Sequence, residues 1–186
     1  MKSENLNKSA LGLLLVSYLI AAPVRAEQPF YAQIDVGRSN VSDSSVSLDE
    51  DATGFRLTGG YQITPWLAVD VGYTDFGTFE ATLVEPNNPP LSLEAEATGV
   101  ELGFVGRVPL GDKFALTGKA EMFWWNSNAE VGGQSDSDSG NDFTYGLGVD
   151  WALNDMFVVT GGYQKYDISD IDVDLLSLGF RLRFGR

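Results

Sequence analysis

The 186-residue chain has no cysteine and no histidine. Without cysteine no disulfide staples it, so its stability must come from packing or from complete strand pairing. Without histidine the usual imidazole base of a Ser-His-Asp arrangement is missing. A carboxylate pair could still do acid–base chemistry, but no serine motif accompanies one, and the chain is not expected to be an enzyme. Beyond its first residues, no stretch reaches the ~18 consecutive apolar residues that mark a membrane-spanning helix. That excludes a helical membrane protein and leaves a barrel open, because barrel strands need only about 9–11 alternating residues. Bases are scarce: 12 Lys and Arg stand against 26 Asp and Glu, a net charge of −14. Such a surface repels polyanions, so nucleic acid is not an expected partner. No cofactor and no dedicated metal site is expected.

The first segment reads as an address and not as structure. Lys2 and Lys8 flank a polar start, Ala10 to Ala22 is mostly apolar, and Val24-Arg25-Ala26 offers small residues at a cleavage site. The apolar part is too short for a spanning helix of ~20 residues. Residues 1–26 are therefore expected to be a cleaved secretory signal, and residues 27–186 the mature domain.

What remains alternates. At the C-terminal end Leu176, Leu178, Phe180, Leu182 and Phe184 share one face, and Ser177, Gly179, Arg181 and Arg183 share the other. A strand sends successive side chains to opposite sides, so this is an apolar wall backed by a charged one. The pattern recurs near residues 30–38, 52–62, 66–76, 97–108, 114–125, 142–153 and 156–166. It predicts an all-β fold: an eight-stranded antiparallel up-and-down transmembrane β-barrel, apolar outside and charged inside. The 21 glycines, many within these runs, would make room in a narrow lumen for long neighbouring side chains. Aromatics near strand ends (Phe30, Tyr61, Trp66, Tyr73, Phe114, Trp124, Trp151, Tyr163, Phe184) fit two interfacial girdles.

The links after the second, fourth and sixth strands are short, and those after the first, third and fifth are long and polar. Outer-membrane barrels keep short turns in the periplasm and long loops outside, which would put both termini in the periplasm. Four acidic loops are expected at 39–51, 78–96, 127–142 and 167–174. Asp136, Asp138, Asp142, Asp167, Asp170 and Asp172 are candidate contacts for divalent cations or surface ligands, and cations could bridge them to lipopolysaccharide phosphates. The run Ser135 to Asp142 has the carboxylate density of a calcium loop without the EF-hand spacing. Solvation alone is the competing reading of these acids.

Parity places Asp35, Asp70, Glu101, Glu121 and Asp150 inside, with Arg56, Arg107, Lys119, Arg181 and Arg183. Equal numbers of each sign imply a paired network, since an unpaired charge in a narrow lumen is costly. An eight-stranded barrel is just wide enough for its own side chains, so a plugged core is expected over an open pore.

Several segments resemble the transmembrane domain of the outer membrane protein A family. Gly59-Gly60-Tyr61-Gln62-Ile63-Thr64-Pro65-Trp66, with Val71-Gly72-Tyr73-Thr74-Asp75-Phe76-Gly77, is similar to its second hairpin. Gly99-Val100-Glu101-Leu102 with Pro109, and Leu175 through Gly185, resemble its fourth and eighth strands. The resemblance implies an outer-membrane barrel of a Gram-negative bacterium, in contact with outer-membrane lipids and lipopolysaccharide. It also implies insertion by the barrel-assembly machinery, which reads a terminal aromatic such as Phe184. It implies a lumenal cluster implicated in gating, onto which Asp70, Asp150 and Lys119 map. Val105 and Thr160 depart from the pattern, standing where the family has a lysine and an arginine. The family's peptidoglycan-binding domain does not follow the eighth strand here, so cell-wall anchoring is not implied. The expected role is structural, with surface interactions through the loops. The alternatives are a small gated channel for ions or solutes and, structurally, a soluble lipocalin-like barrel with its apolar faces inward.

Overall fold

The computed structural model describes residues 28–42, 51–83, 91–131, 134–168 and 171–185. They form one closed antiparallel barrel of eight strands, each paired with its sequence neighbours. The strands are β1 (Phe30–Ser42), β2 (Asp51–Thr64), β3 (Leu67–Leu83), β4 (Leu91–Leu110), β5 (Phe114–Val131), β6 (Gln134–Ala152), β7 (Phe157–Ile168) and β8 (Ile171–Phe184). β8 closes onto β1 from Phe30↔Phe184 to Ser42↔Asp172, so neither strand is left with a bare edge. Closure matters because an unpaired backbone group in hydrocarbon costs several kcal/mol.

The apolar faces point outward. Leu147 is 74% exposed, Leu178 67% and Leu176 65%, while Arg181 and Asp150 are buried. A lipocalin-like barrel requires the reverse, and that alternative is overturned. Along β5 the outward row runs Phe114, Leu116, Gly118, Ala120, Met122, Trp124 and then turns polar at Asn126. Ten residue steps of ~3.3 Å, tilted by about 40°, rise about 25 Å, the height of an outer-membrane apolar band. Rings border it: Phe30 packs against Tyr61 (5.1 Å) and Phe184 (6.1 Å), and Phe114 stacks on Trp151 (6.3 Å).

One end of the barrel has short turns. Pro65-Trp66 links β2 to β3, Gly111 (φ 78°) turns β4 into β5, and Asn154 Oδ1 accepts the amides of Met156 and Phe157, both at 2.9 Å, between β6 and β7. The other end differs from the sequence expectation. Most of the second, third and fourth expected loops is strand: β3 pairs with β4 out to Leu83↔Leu91, β5 with β6 out to Val131↔Gln134, and β7 with β8 out to Ile168↔Ile171. Ser39, expected at the start of the first loop, lies in β1, buried, its hydroxyl donating to the Phe76 carbonyl at 2.6 Å. The reason is that backbone pairing needs no apolar face. Above the band both faces meet water, so the alternation of apolar and polar residues stops while the ladder continues. Gly77 (φ 80°) sits in a bulge between Asp75 and Thr78, its amide bonded to Asp75 Oδ1 at 2.8 Å, and the ladder resumes at Thr78↔Glu96.

Candidate functional site

The lumen is filled in three tiers. Nearest the turn end, Asp150 Oδ2 meets Arg181 Nη1 at 2.6 Å and Arg107 Nη1 at 3.3 Å. Arg181 also donates through Nε to Gln33 Oε1 at 2.7 Å and lies over the Tyr31 ring, 5.0 Å from its centre. Gln33 joins this tier to the next by donating to Asp35 at 2.8 Å.

In mid-lumen Arg56 pairs with Asp35 at 3.2 Å and Glu101 at 3.5 Å, and donates to Gln164. Thr160 donates to Asp35 at 3.0 Å. Gln164 passes the network on, donating to Glu121 at 2.7 Å and Glu101 at 3.3 Å. Lys119 stands between Asp70 (3.5 Å) and Glu121 (3.9 Å), and the Tyr31 hydroxyl donates to Asp70 at 3.2 Å. Glycine makes this crowding feasible. Asp70, Gly103 and Glu121 lie abreast on β3, β4 and β5, and a Cβ on Gly103 would come within 2.6 Å of Glu121 Cγ.

The third tier is apolar. Phe76, Phe123, Trp125, Tyr166, Ile168, Val173 and Leu175 form a buried cluster across the lumen. The Tyr166 ring meets Phe76 (4.7 Å) and Phe123 (4.9 Å) edge-on, and Phe76 meets Phe123 at 5.8 Å. The Tyr166 hydroxyl reaches back to Glu101 Oε2 at 3.1 Å, tying the ring plug to the charges below. A cavity of about 30 Å³ beside Asp35, Lys119, Asp150 and Arg181 is large enough for a water or two.

All ten lumenal residues read from the sequence point inward, and nine enter ion pairs. Arg183 does not. Its Nη2 is buried without a hydrogen-bond partner, which corrects the expectation that the charges pair off evenly. The charges come from seven strands, and side-chain reach, not sequence order, decides which of them meet. The neutral partners Gln33, Gln164 and Tyr166, and the apolar plug, were not singled out from the sequence, and Thr160 was noted only as a departure from the family's pattern. Parity alone would have placed them on the inner face.

The acids expected in loops are spread along the tall end. Asp142 accepts Trp125 Nε1 at 2.7 Å, and Asp172 pairs with Lys165 at 2.6 Å. Asp136 and Asp138 accept the next residue's amide, at 3.0 and 2.8 Å. Asp167 lies opposite Asp172 in the ladder, and Asp170 falls outside the described residues. Among the described residues no three carboxylates gather as a metal cage.

This geometry agrees with the comparison to known families, in which the outer membrane protein beta-barrel domain matches residues 11–184. The chain belongs to that family. It is a barrel protein of the Gram-negative outer membrane, like its structural neighbours. The attachment invasion locus protein Ail of Yersinia pestis superposes with a TM-score of 0.63 at 22% identity, covering 85% of this chain and 99% of that one. Ail has also been solved with the heparin analogue sucrose octasulfate. Neisserial surface protein A matches at 0.61 and 18% identity, over 83% and 97% of the two chains. The N-terminal barrel of OprF from Pseudomonas aeruginosa matches at 0.57 and 11%, again over 83% and 97%. At such identities the likeness is one of fold. No curated protein sequence matches the chain.

Proposed function

We propose that this outer-membrane barrel acts as a structural and surface-interaction protein through its tall, acid-rich end, and that it neither catalyses a reaction nor conducts. One observation carries this reading: the paired strands continue past the apolar band while the lumen beneath is filled by charges and capped by rings. By the general rule for such barrels, the tall end faces outside and the short turns and both termini face the periplasm. Residues 1–26 leave as the export signal, and the barrel-assembly machinery reads the end at Phe184. Outer-membrane lipids and lipopolysaccharide surround the band.

The extended strands set Glu80, Glu94 and Glu130 abreast, with Glu96 two pairs away and exposed Asp136 and Asp138 beyond. That sign disfavours polysulfates. It favours cationic ligands, or divalent ions that bridge the spread carboxylates to lipid phosphates. The test replaces Glu94, Glu96, Asp136 and Asp138 by their amides and measures retention of proteoliposomes on a polycationic surface and, with magnesium, on lipopolysaccharide. Weaker retention with an unchanged barrel is expected; unchanged retention on both surfaces refutes the reading.

A further inference from the structure

The lumenal charges balance in number but not in place. Mid-lumen holds Asp35, Asp70, Glu101 and Glu121 against Arg56 and Lys119. Among the described residues, the turn end of the lumen holds Arg107, Arg181 and Arg183 against Asp150, with Asp155 in the turn outside it, and a single oxygen of Asp150 serves both Arg107 and Arg181. Arg183 is left over: its Nη2 is buried and unbonded, and no carboxylate among the described residues lies within ion-pair distance. The charges it senses are Arg107 and Arg181, which repel it, and Asp150 and the turn residue Asp155, which attract it. A cationic excess held in a narrow lumen calls for a counter-charge.

We propose that the turn end of the lumen binds a small oxyanion of the phosphate class, held by Arg183 and Arg107 with Arg181 beside them. Guanidinium forks match phosphate oxygens in pairs, and Arg183 has an unused donor for one of them. Arg181 is fixed by Asp150, Gln33 and the Tyr31 ring, so the site is organised before the anion arrives. Arg107 keeps 14% of its side chain exposed, which leaves the mouth open to solvent. The acid-rich mid-lumen above stops the anion from going further, which makes this a dead-end site and not a pathway. The phosphate can come from free inorganic phosphate or from a lipid headgroup.

The test uses the full-length barrel folded in a maltoside detergent and follows thermal unfolding while sodium phosphate is titrated against sodium chloride of equal ionic strength. A saturable rise in Tm specific to phosphate is expected. Arg183→Gln should weaken the response at least tenfold, and Lys113→Gln, an exposed base in the β4–β5 turn at the same end, should leave it intact. If inorganic phosphate is silent but short-chain phosphatidic acid gives the Arg183-dependent shift, the headgroup is the source. Should Arg183→Gln fail to fold, phosphorus NMR line broadening in the parent protein and its weakening in Arg183→Lys decide the matter. Equal responses to chloride and phosphate, full retention in the Arg183 variants, or silence from both phosphate sources would overturn the proposal.

Discussion

Arg56 shows how a single inward side chain organises its neighbours. It is only 4% exposed and touches Asp35, Glu101 and Gln164, which come from three different strands. Arg56→Met keeps the volume and strands two buried carboxylates, so a loss of about 3–5 kcal/mol is expected in urea unfolding followed by the gel shift of the intact barrel. Adding Glu101→Gln should recover part of that loss, because one stranded charge is removed with its partner. Glycine positions give a second contrast. A Cβ on Gly103 would lie 2.3 Å from the Ala120 carbonyl and 2.5 Å from Glu121 Cα, where only backbone movement makes room. Gly103→Ala should therefore cost about 1–3 kcal/mol. Gly59→Ala, with nothing within 4 Å of its Cβ, should stay within about 0.5 kcal/mol in the same assay. From the sequence both glycines look alike, as small residues in a strand. What separates them is the neighbouring strand's register.

At the scale of a strand, period-two alternation was legible wherever lipid lay on one side. β5 could be read from Phe114 to Trp125, with Lys119 and Glu121 correctly inside. It could not be read beyond, because Asn126 to Val131 has no apolar face to mark parity. The band itself can be tested at Leu147, its most exposed large side chain. Leu147→Arg should destabilise the barrel by about 2–4 kcal/mol in lipid, whereas Asp138→Asn at the exposed end of the same strand should be close to neutral. Above the band, the β7–β8 hairpin is pinned by Lys165 and Asp172. The hydrogen bond to Asp172 holds the Lys165 ammonium above the ordinary lysine range. Because the folded-state value is the raised one, this contribution is complete at and below the ordinary lysine range and is lost only as pH rises through the raised value. The stability difference between the parent chain and Lys165→Met should therefore persist through neutral pH and vanish in strong alkali. A difference that disappears near neutrality would contradict the pairing.

For the molecule as a whole, closure and filling act together. The rings of Phe76, Phe123 and Tyr166 are fully buried, and below them the mid-lumen acids are spanned by Arg56, Lys119 and Gln164. On the proposed reading these two tiers act as barriers in series, so planar-bilayer recording should show no conductance steps above background. Regular steps from the parent protein would instead establish a channel. Tyr166→Ala alone should also stay silent, since it opens the ring tier and leaves the charged one, at a stability cost of about 3–5 kcal/mol.

The amino-acid order by itself determined the strands of a barrel with one oily and one charged face, and the exposure of Leu147, Leu176 and Leu178 decided that the oily face points outward. Alternation is a local property, and the arrangement of charges on one face and Leu and Phe on the other survives without knowing any contact. The order also determined which charges belong together, since parity carries all ten to the same face. Tertiary structure alone decided which of them pair, that Arg183 meets no carboxylate among the described residues, that rings cap the tall end, and that the polar ends are tall hairpins. Those outcomes depend on how strands are staggered around a closed cylinder. Stagger brings residues far apart in sequence, such as Asp35 and Thr160, to within 3.0 Å across the lumen, and no local pattern records it.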